Sequence, residues 1–153
     1  MKKFFAAALL VTVGACRTTT TSTSTTTPAA APSNQTGAAD PASAVRGFLA
    51  AAKAQDLQGM SIYFGDRDGT ARDRIPREQL EQREIVIASC LKHDQATILG
   101  DAPAAGGGRS FVVSLSKPGK SASVNFEVVP ASDRRWYVQK FDIERLMADY
   151  CRR

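Results

Sequence analysis

Few residues in this chain could do covalent or acid–base chemistry. Among 153 residues there are one histidine and three cysteines. His93 precedes Asp94, the one adjacent His–acid pair. A general base must lie within hydrogen-bond reach of the proton it takes. His93 falls where a helix is expected to give way to a strand, solvated, and a His there suits the helix C-terminus without catalysis. Neither a Ser-His-Asp nor a Cys-His set can be assembled, so no catalytic residue is assigned. No C-x-x-C or H-x-x-x-H spacing supplies four ligands, so no metal or cofactor is expected. Asp66, Asp68 and Gly69 open a segment running to Arg77 whose charges alternate in sign. It reads as a surface loop whose charges pair locally for little energy. Aligned on a calcium-binding loop, it puts Phe64 and Ile75 where carboxylates are required. Phe64, Phe111, Phe126, Trp136 and Tyr137 are expected in the core, or on a cavity wall if the fold is open.

The elements that must position these residues divide into a helical part and a strand part. Asp40 stands where an N-cap belongs, and Pro41 fits a first helical turn. Val45, Phe48, Leu49 and Ala52 follow at helical spacing. Asp56 can cap a second helix carrying Leu57, Met60, Tyr63 and Phe64. Pro76 can open a third, with Leu80, Ile87 and Leu91 inward, Val86 and Cys90 alongside, and Glu78, Glu81, Gln82 and Arg83 wet. After Lys92 the period changes. Ala96 to Leu99 is a strand candidate and Gly106 to Gly108 a loop. Phe111, Val113 and Leu115 alternate, as do Val124, Phe126 and Val128. Lys117-Pro118-Gly119-Lys120 has the chemistry of a hairpin turn. Trp136 to Phe141 is a last strand and Ile143 to Tyr150 a short closing helix. Strands joined by short turns imply an antiparallel meander, and helices followed by such a sheet imply an α+β domain.

The two ends differ from this domain. Met1-Lys2-Lys3 is basic. Phe4 to Val13 is mostly apolar but about half the ~20 residues a spanning helix needs. Val13-Gly14-Ala15-Cys16 then resembles the lipobox of bacterial lipoproteins. The resemblance implies cleavage before Cys16, lipid on its sulfur and acylation of the new amine. Three acyl chains would anchor the protein stably to a membrane. Arg17, in place of Asp, favours the outer membrane by the sorting rule of enteric bacteria. An ordinary secretory signal with a chance cysteine is the alternative. With Cys16 lipidated, Cys90 and Cys151 remain as a pair in an oxidising compartment. A disulfide between them would add roughly 4 kcal/mol in the chain-entropy model; two separately buried thiols are the alternative. Residues 1–15 are thus read as signal, 16–40 as lipidated cysteine and disordered tether, and 41–153 as one domain. The tether holds only Thr and Ser from Thr18 to Thr27, then Pro28, Ala29 to Ala31 and Pro32, with nothing to seed a core. From Pro41 onward 17 basic residues face 14 acidic ones. That small excess, with the envelope localisation, argues against a nucleic-acid partner.

The element order resembles the nuclear transport factor 2-like fold, a cystatin-like cone. The residues that carry the resemblance are Ala44 to Asp56 at the start and Trp136-Tyr137-Val138 near the end. It implies three N-terminal helices packed on a curved four-stranded antiparallel sheet, with a short C-terminal helix. Some members of that family act through a His or Asp in the cone, or through a carboxylate and tyrosine; Tyr63, Tyr137 and Glu127 are the residues available here. Asp66-Arg67-Asp68-Gly69-Thr70 also resembles the signature of haloacid dehalogenase-type phosphatases, with Asp66 as nucleophile and Asp68 as general acid. That fold needs a parallel sheet and a downstream acidic pair, and this chain offers a meander and no such pair. The expectation is therefore a lipid-anchored envelope module, non-enzymatic, that binds a small ligand or another envelope protein. A small hydrolase or isomerase with a cone-shaped pocket is the alternative. Two or more ionisable groups converging inside a cavity would separate the enzyme from the binding module. A cone filled with side chains would end both pocket readings and leave a protein-interaction role.

Overall fold

The Asp40 carboxylate accepts the Ser43 N–H at 2.8 Å and the Ser43 hydroxyl at 2.6 Å, so the chain turns helical at Pro41. In the computed structural model, which describes residues 35–151, helix α1 spans Pro41–Ala54 and α2 spans Leu57–Tyr63. Asp56 caps α2 by accepting the Gly59 N–H at 2.9 Å. A short ribbon follows, β1 (Gly65–Asp66) against β2 (Gly69–Thr70), then a 3-10 turn at Ala71–Asp73. The stretch expected to be an open loop is thus partly ordered. Strands of two residues are too short to show an alternating pattern. Helix α3 spans Arg77–Cys90.

Four strands then form an antiparallel meander in the order β3-β4-β5-β6, at Gln95–Pro103, Arg109–Lys117, Lys120–Pro130 and Trp136–Phe141. The architecture is mixed α+β. The β4–β5 hairpin turns at Pro118-Gly119, with Gly119 at φ 72° and Lys117 opposite Lys120. Register shifts between Ile98 and Gly100 and between Glu127 and Val128 break the regularity of the ladder. Such bulges bend strands and increase their twist.

One face of the sheet carries Phe111, Val113, Leu115, Val124, Phe126, Val128 and Val138, all buried in one cluster with Val45, Phe48 and Leu49 of α1 and Leu146 and Tyr150 of the C-terminal turn. The Phe48 ring from α1 lies 6.1–6.4 Å from those of Phe64 and Phe126, and the Phe126 and Phe141 rings stack at 5.2 Å. These rings fill the space beneath the centre of the sheet, while toward β3 a cavity of about 210 Å³ remains between α1 and the sheet, lined by Arg46, Leu49, Lys53, His93, Ile98 and Val113.

Two further contacts define the edges of this unit. The chain packs from Thr36, ahead of the boundary read at Pro41. Gly37 N–H donates to the Ile62 carbonyl, Ala38 pairs with Trp136, and Arg135 donates to the carbonyls of Thr36 and Gly37. At the other end, α4 (Ile143–Arg145) runs into a wider π-helical turn at Leu146–Tyr150. The Tyr150 hydroxyl donates to the Lys92 carbonyl at 2.8 Å, and the Lys117 ammonium lies 4.2 Å from the centre of the Tyr150 ring. Among the described residues, no helix is long and apolar enough to cross a membrane.

Candidate functional site

The residues singled out from the sequence are scattered over the molecule. Cys16 lies outside the described residues. Cys90 and Cys151 come to bonding distance, with Cα atoms 4.7 Å apart, inside the ~7 Å a disulfide can span. They join the end of α3 to the C-terminal turn. Asp66 and Asp68 face Arg74, with Asp66 at 2.7 Å and Asp68 at 3.5 Å. Burial raises the Asp66 pKa, but the Arg74 hydrogen bond and the Asp68 N–H together hold it below the usual carboxylate value. That arrangement is a paired surface turn, and the sheet behind it is antiparallel, so the phosphatase reading has no scaffold.

His93 corrects an expectation. It was expected in solvent and is 8 % exposed. Its Nδ1–H donates to the Leu91 carbonyl at 2.6 Å, which satisfies an acceptor at the end of α3. The Asp94 carbonyl meanwhile accepts from the Lys53 ammonium. Tyr63, Tyr137 and Glu127 have separate surroundings. The ring of Tyr63 packs over Gly47, where a Cβ would collide with it. Tyr137 donates its hydroxyl to Asp133. Glu127 pairs with Lys140 at 3.0 Å. Phe64, Phe111, Phe126, Trp136 and Tyr137 all belong to the core or its margin.

The site that chemistry favours was missed, and it lies between α2 and α3. Leu80, Glu84, Ile87, Ala88 and Cys90 form the buried face of α3. Val86, expected alongside that face, is 50 % exposed, and its neighbour Ile85 is 53 % exposed. Glu84 is 1 % exposed. A glutamate is almost never fully buried unless paired. Yet neither carboxyl oxygen of Glu84 has a hydrogen-bond partner among the described residues. Burial, then the nearby charges of Glu81 and Asp56, raise its pKa from 4.5 to about 7. The signal for this was present in the sequence. Leu80, Ile87 and Leu91 step by seven and four, and position 84 lies on the same stripe.

Glu84 lines a cavity of about 220 Å³. Helix α2 contributes Gln58 and Ser61, the 3-10 turn contributes Arg72, and α3 contributes Arg77, Leu80 and Glu81. Each wall is fixed locally. Tyr63 seated on Gly47 brings α1 and α2 close together. The Ser61 hydroxyl donates to the Gln58 carbonyl, and the buried Thr70 hydroxyl donates to the Ser61 carbonyl, tying the turn that carries Arg72 to α2. Glu81, one turn before Glu84, is fully engaged at one oxygen: Arg77 Nε donates to it at 2.6 Å and Gln58 Nε2 at 3.0 Å. The cavity thus has a partnered carboxylate at its rim and an unpartnered carboxyl deeper in. A larger, shallow groove of about 530 Å³ between α3 and Ile143 has Arg83 as its one ionisable lining residue. Among the described residues, no three His, Cys, Asp or Glu side chains are placed to hold a metal.

Comparison with protein families, with curated proteins and with solved structures finds no match for this chain.

Proposed function

We propose that this protein is a lipid-anchored envelope lipoprotein, cut before Cys16, whose domain is a non-enzymatic binding module. In this reading the domain is a nuclear transport factor 2-like variant whose cone is packed with aromatic rings at its centre, and its ligand enters the cavity between α2 and α3, where the unpartnered carboxyl lies. The membrane partner is reached through lipid on Cys16, and a Cys90–Cys151 disulfide fits an oxidising envelope. The observation that supports a binding role is the buried, unpartnered carboxyl of Glu84 at the end of a polar cavity. A polar group in that state costs free energy unless something completes it. Native mass spectrometry of the full chain expressed with its own leader and extracted from membranes tests both halves. The expected result is an N-terminus at acylated Cys16 and a retained non-covalent mass. An uncut chain, or an unmodified Cys16, would overturn the anchoring. A wild-type protein without bound mass, and without affinity for any added small molecule, would overturn the binding role.

A small hydrolase or isomerase is the second reading. It is favoured by one observation: a carboxyl titrating at about 7 suits proton transfer at neutral pH. Turnover lost in Glu84→Gln, with substrate binding retained, is its signature.

A further inference from the structure

We infer that the cavity between α2 and α3 takes a small organic cation, a primary ammonium or guanidinium group on a short chain, with Glu84 as the group that receives it. The inference rests on the reading of this cavity as the binding site and names its ligand class. Two unpartnered carboxyl oxygens side by side are complementary to a donor-rich cation. A guanidinium can bond both at once, and an ammonium can bond either with charge assistance. The surrounding charges set the sign. Those facing Glu84 are Glu81 and Arg77 on α3, Asp56 at the cap of α2, and Arg72 on the 3-10 turn. Arg77 and Glu81 answer each other, and Arg72 and Asp56 are one base and one acid, so ionised Glu84 leaves the site with one net negative charge. Glu81 and Asp56 both act on Glu84 as like charges. An anion would leave ionised Glu84 unanswered beside these acids, whereas a cation neutralises it.

Size and wall chemistry narrow the class. About 220 Å³ lies below the ~300 Å³ at which pockets for drug-sized ligands begin. Leu80 gives the short chain of the ligand an apolar wall, while the oxygens of the Ser61 and Gln58 side chains, whose donor groups are engaged within the protein, are left to accept from the cation. A bare metal ion is not favoured, since Glu84 and Glu81 are not joined by a third ligand among the described residues. Binding is linked to protons. The empty site holds a proton on Glu84 below about pH 7, and the incoming cation displaces it to solvent. Affinity therefore rises with pH up to about 7 and levels above it.

Isothermal titration calorimetry on the full chain in detergent tests this. The probes are n-propylammonium and N-methylguanidinium as free cations, N-acetyl-lysine methylamide and N-acetyl-arginine methylamide as protein side chains, and propionate as the anion. The expected result is binding of at least one cation, at least about tenfold weaker in Glu84→Gln, with Glu84→Asp recovering part of it. The apparent affinity falls about tenfold for each pH unit below 7, with one proton released per ligand. Tighter binding of the free cations assigns a small amine as the natural ligand; tighter binding of the amino-acid derivatives assigns a partner's Lys or Arg side chain. Equal affinity in wild type and Glu84→Gln would overturn the inference, as would preference for propionate. If membrane-extracted protein retains a neutral or anionic mass while no cation binds, the ligand class is wrong and the binding role stands.

Discussion

The two sides of α1 are built on different terms. Toward the sheet, Phe48 meets Phe64, Phe126 and Phe141 in a cluster of rings, with β4, β5 and β6 contributing buried aliphatic side chains. Toward α2 and α3, the helices enclose a cavity, and a carboxyl sits where the stripe of α3 calls for an apolar residue. The first region is what hydrophobic burial alone produces. The second departs from it at one position, and departures of that kind concentrate where a protein does something other than fold. The filled layer supplies stability, and the helical layer has a free-energy deficit that a ligand can remove.

The contrast can be broken most forcefully from the stable side. Phe126→Ala removes a ring that touches both Phe48 and Phe141, and should destabilise by about 3–5 kcal/mol in chemical denaturation. A loss below about 1 kcal/mol would mean the layer under the sheet is not the main core. Next comes the covalent tie between α3 and the C-terminus. Cys90→Ser with Cys151→Ser should lower stability by roughly 4 kcal/mol under oxidising conditions and leave it unchanged under reductant. An unchanged oxidised midpoint would show that the two thiols are not joined in the protein.

Glu84 sharpens the comparison because its effect has the opposite sign. Its native pKa, about 7, lies above the ordinary 4.5, so the folded state binds more protons than the unfolded chain between those values. Stability therefore falls as pH rises from 4.5 to 7, and the full penalty, on the order of 3 kcal/mol, persists above 7. In Glu84→Gln that slope should vanish, leaving the variant more stable than wild type at pH 8. Parallel pH profiles for the two proteins would place Glu84 in contact with water or a cation. The smallest effect is at the entrance to α1. Asp40→Ala removes the acceptor for two Ser43 hydrogen bonds and should cost about 1 kcal/mol in thermal melts, without touching either layer. A larger loss would mean that residues 36–40 contribute more to the domain than their hydrogen bonds to Trp136 and Arg135 suggest.

What could be read from the sequence followed from burial and punctuation. Asp40-Pro41 marks the start of α1, and Asp56 caps α2. Pro118-Gly119 marks the turn between β4 and β5, and alternation places Phe111, Val113, Val124 and Phe126 on one face. Strand β3 was read as the four residues Ala96 to Leu99 because it is an edge strand with both faces mostly exposed, so it carries no apolar alternation. Gly100, Asp101 and Pro103 are also residue types depleted in strands. Residues 36–38 read as tether because Thr36, Gly37 and Ala38 are small and offer nothing to seed a core, and their docking depends on partners about a hundred residues away. Glu84 was overlooked for a different reason. Ranking residues by polarity sends a glutamate to the wet face, although the spacing of Leu80, Ile87 and Leu91 sends it inward. Where the two rules disagreed, the geometry of the helix won.

The measurement that bears most directly on this account is the titration of the Glu84 carboxyl in the full chain, followed by its side-chain carbon resonance and assigned by comparison with Glu84→Gln. The account predicts a midpoint near 7 in the empty protein, moving downward when n-propylammonium or N-methylguanidinium is added. A midpoint at or below 4.5 without ligand would contradict it. Glu84 would then already be satisfied within the protein, with Arg72, which lines the same cavity, as a candidate partner.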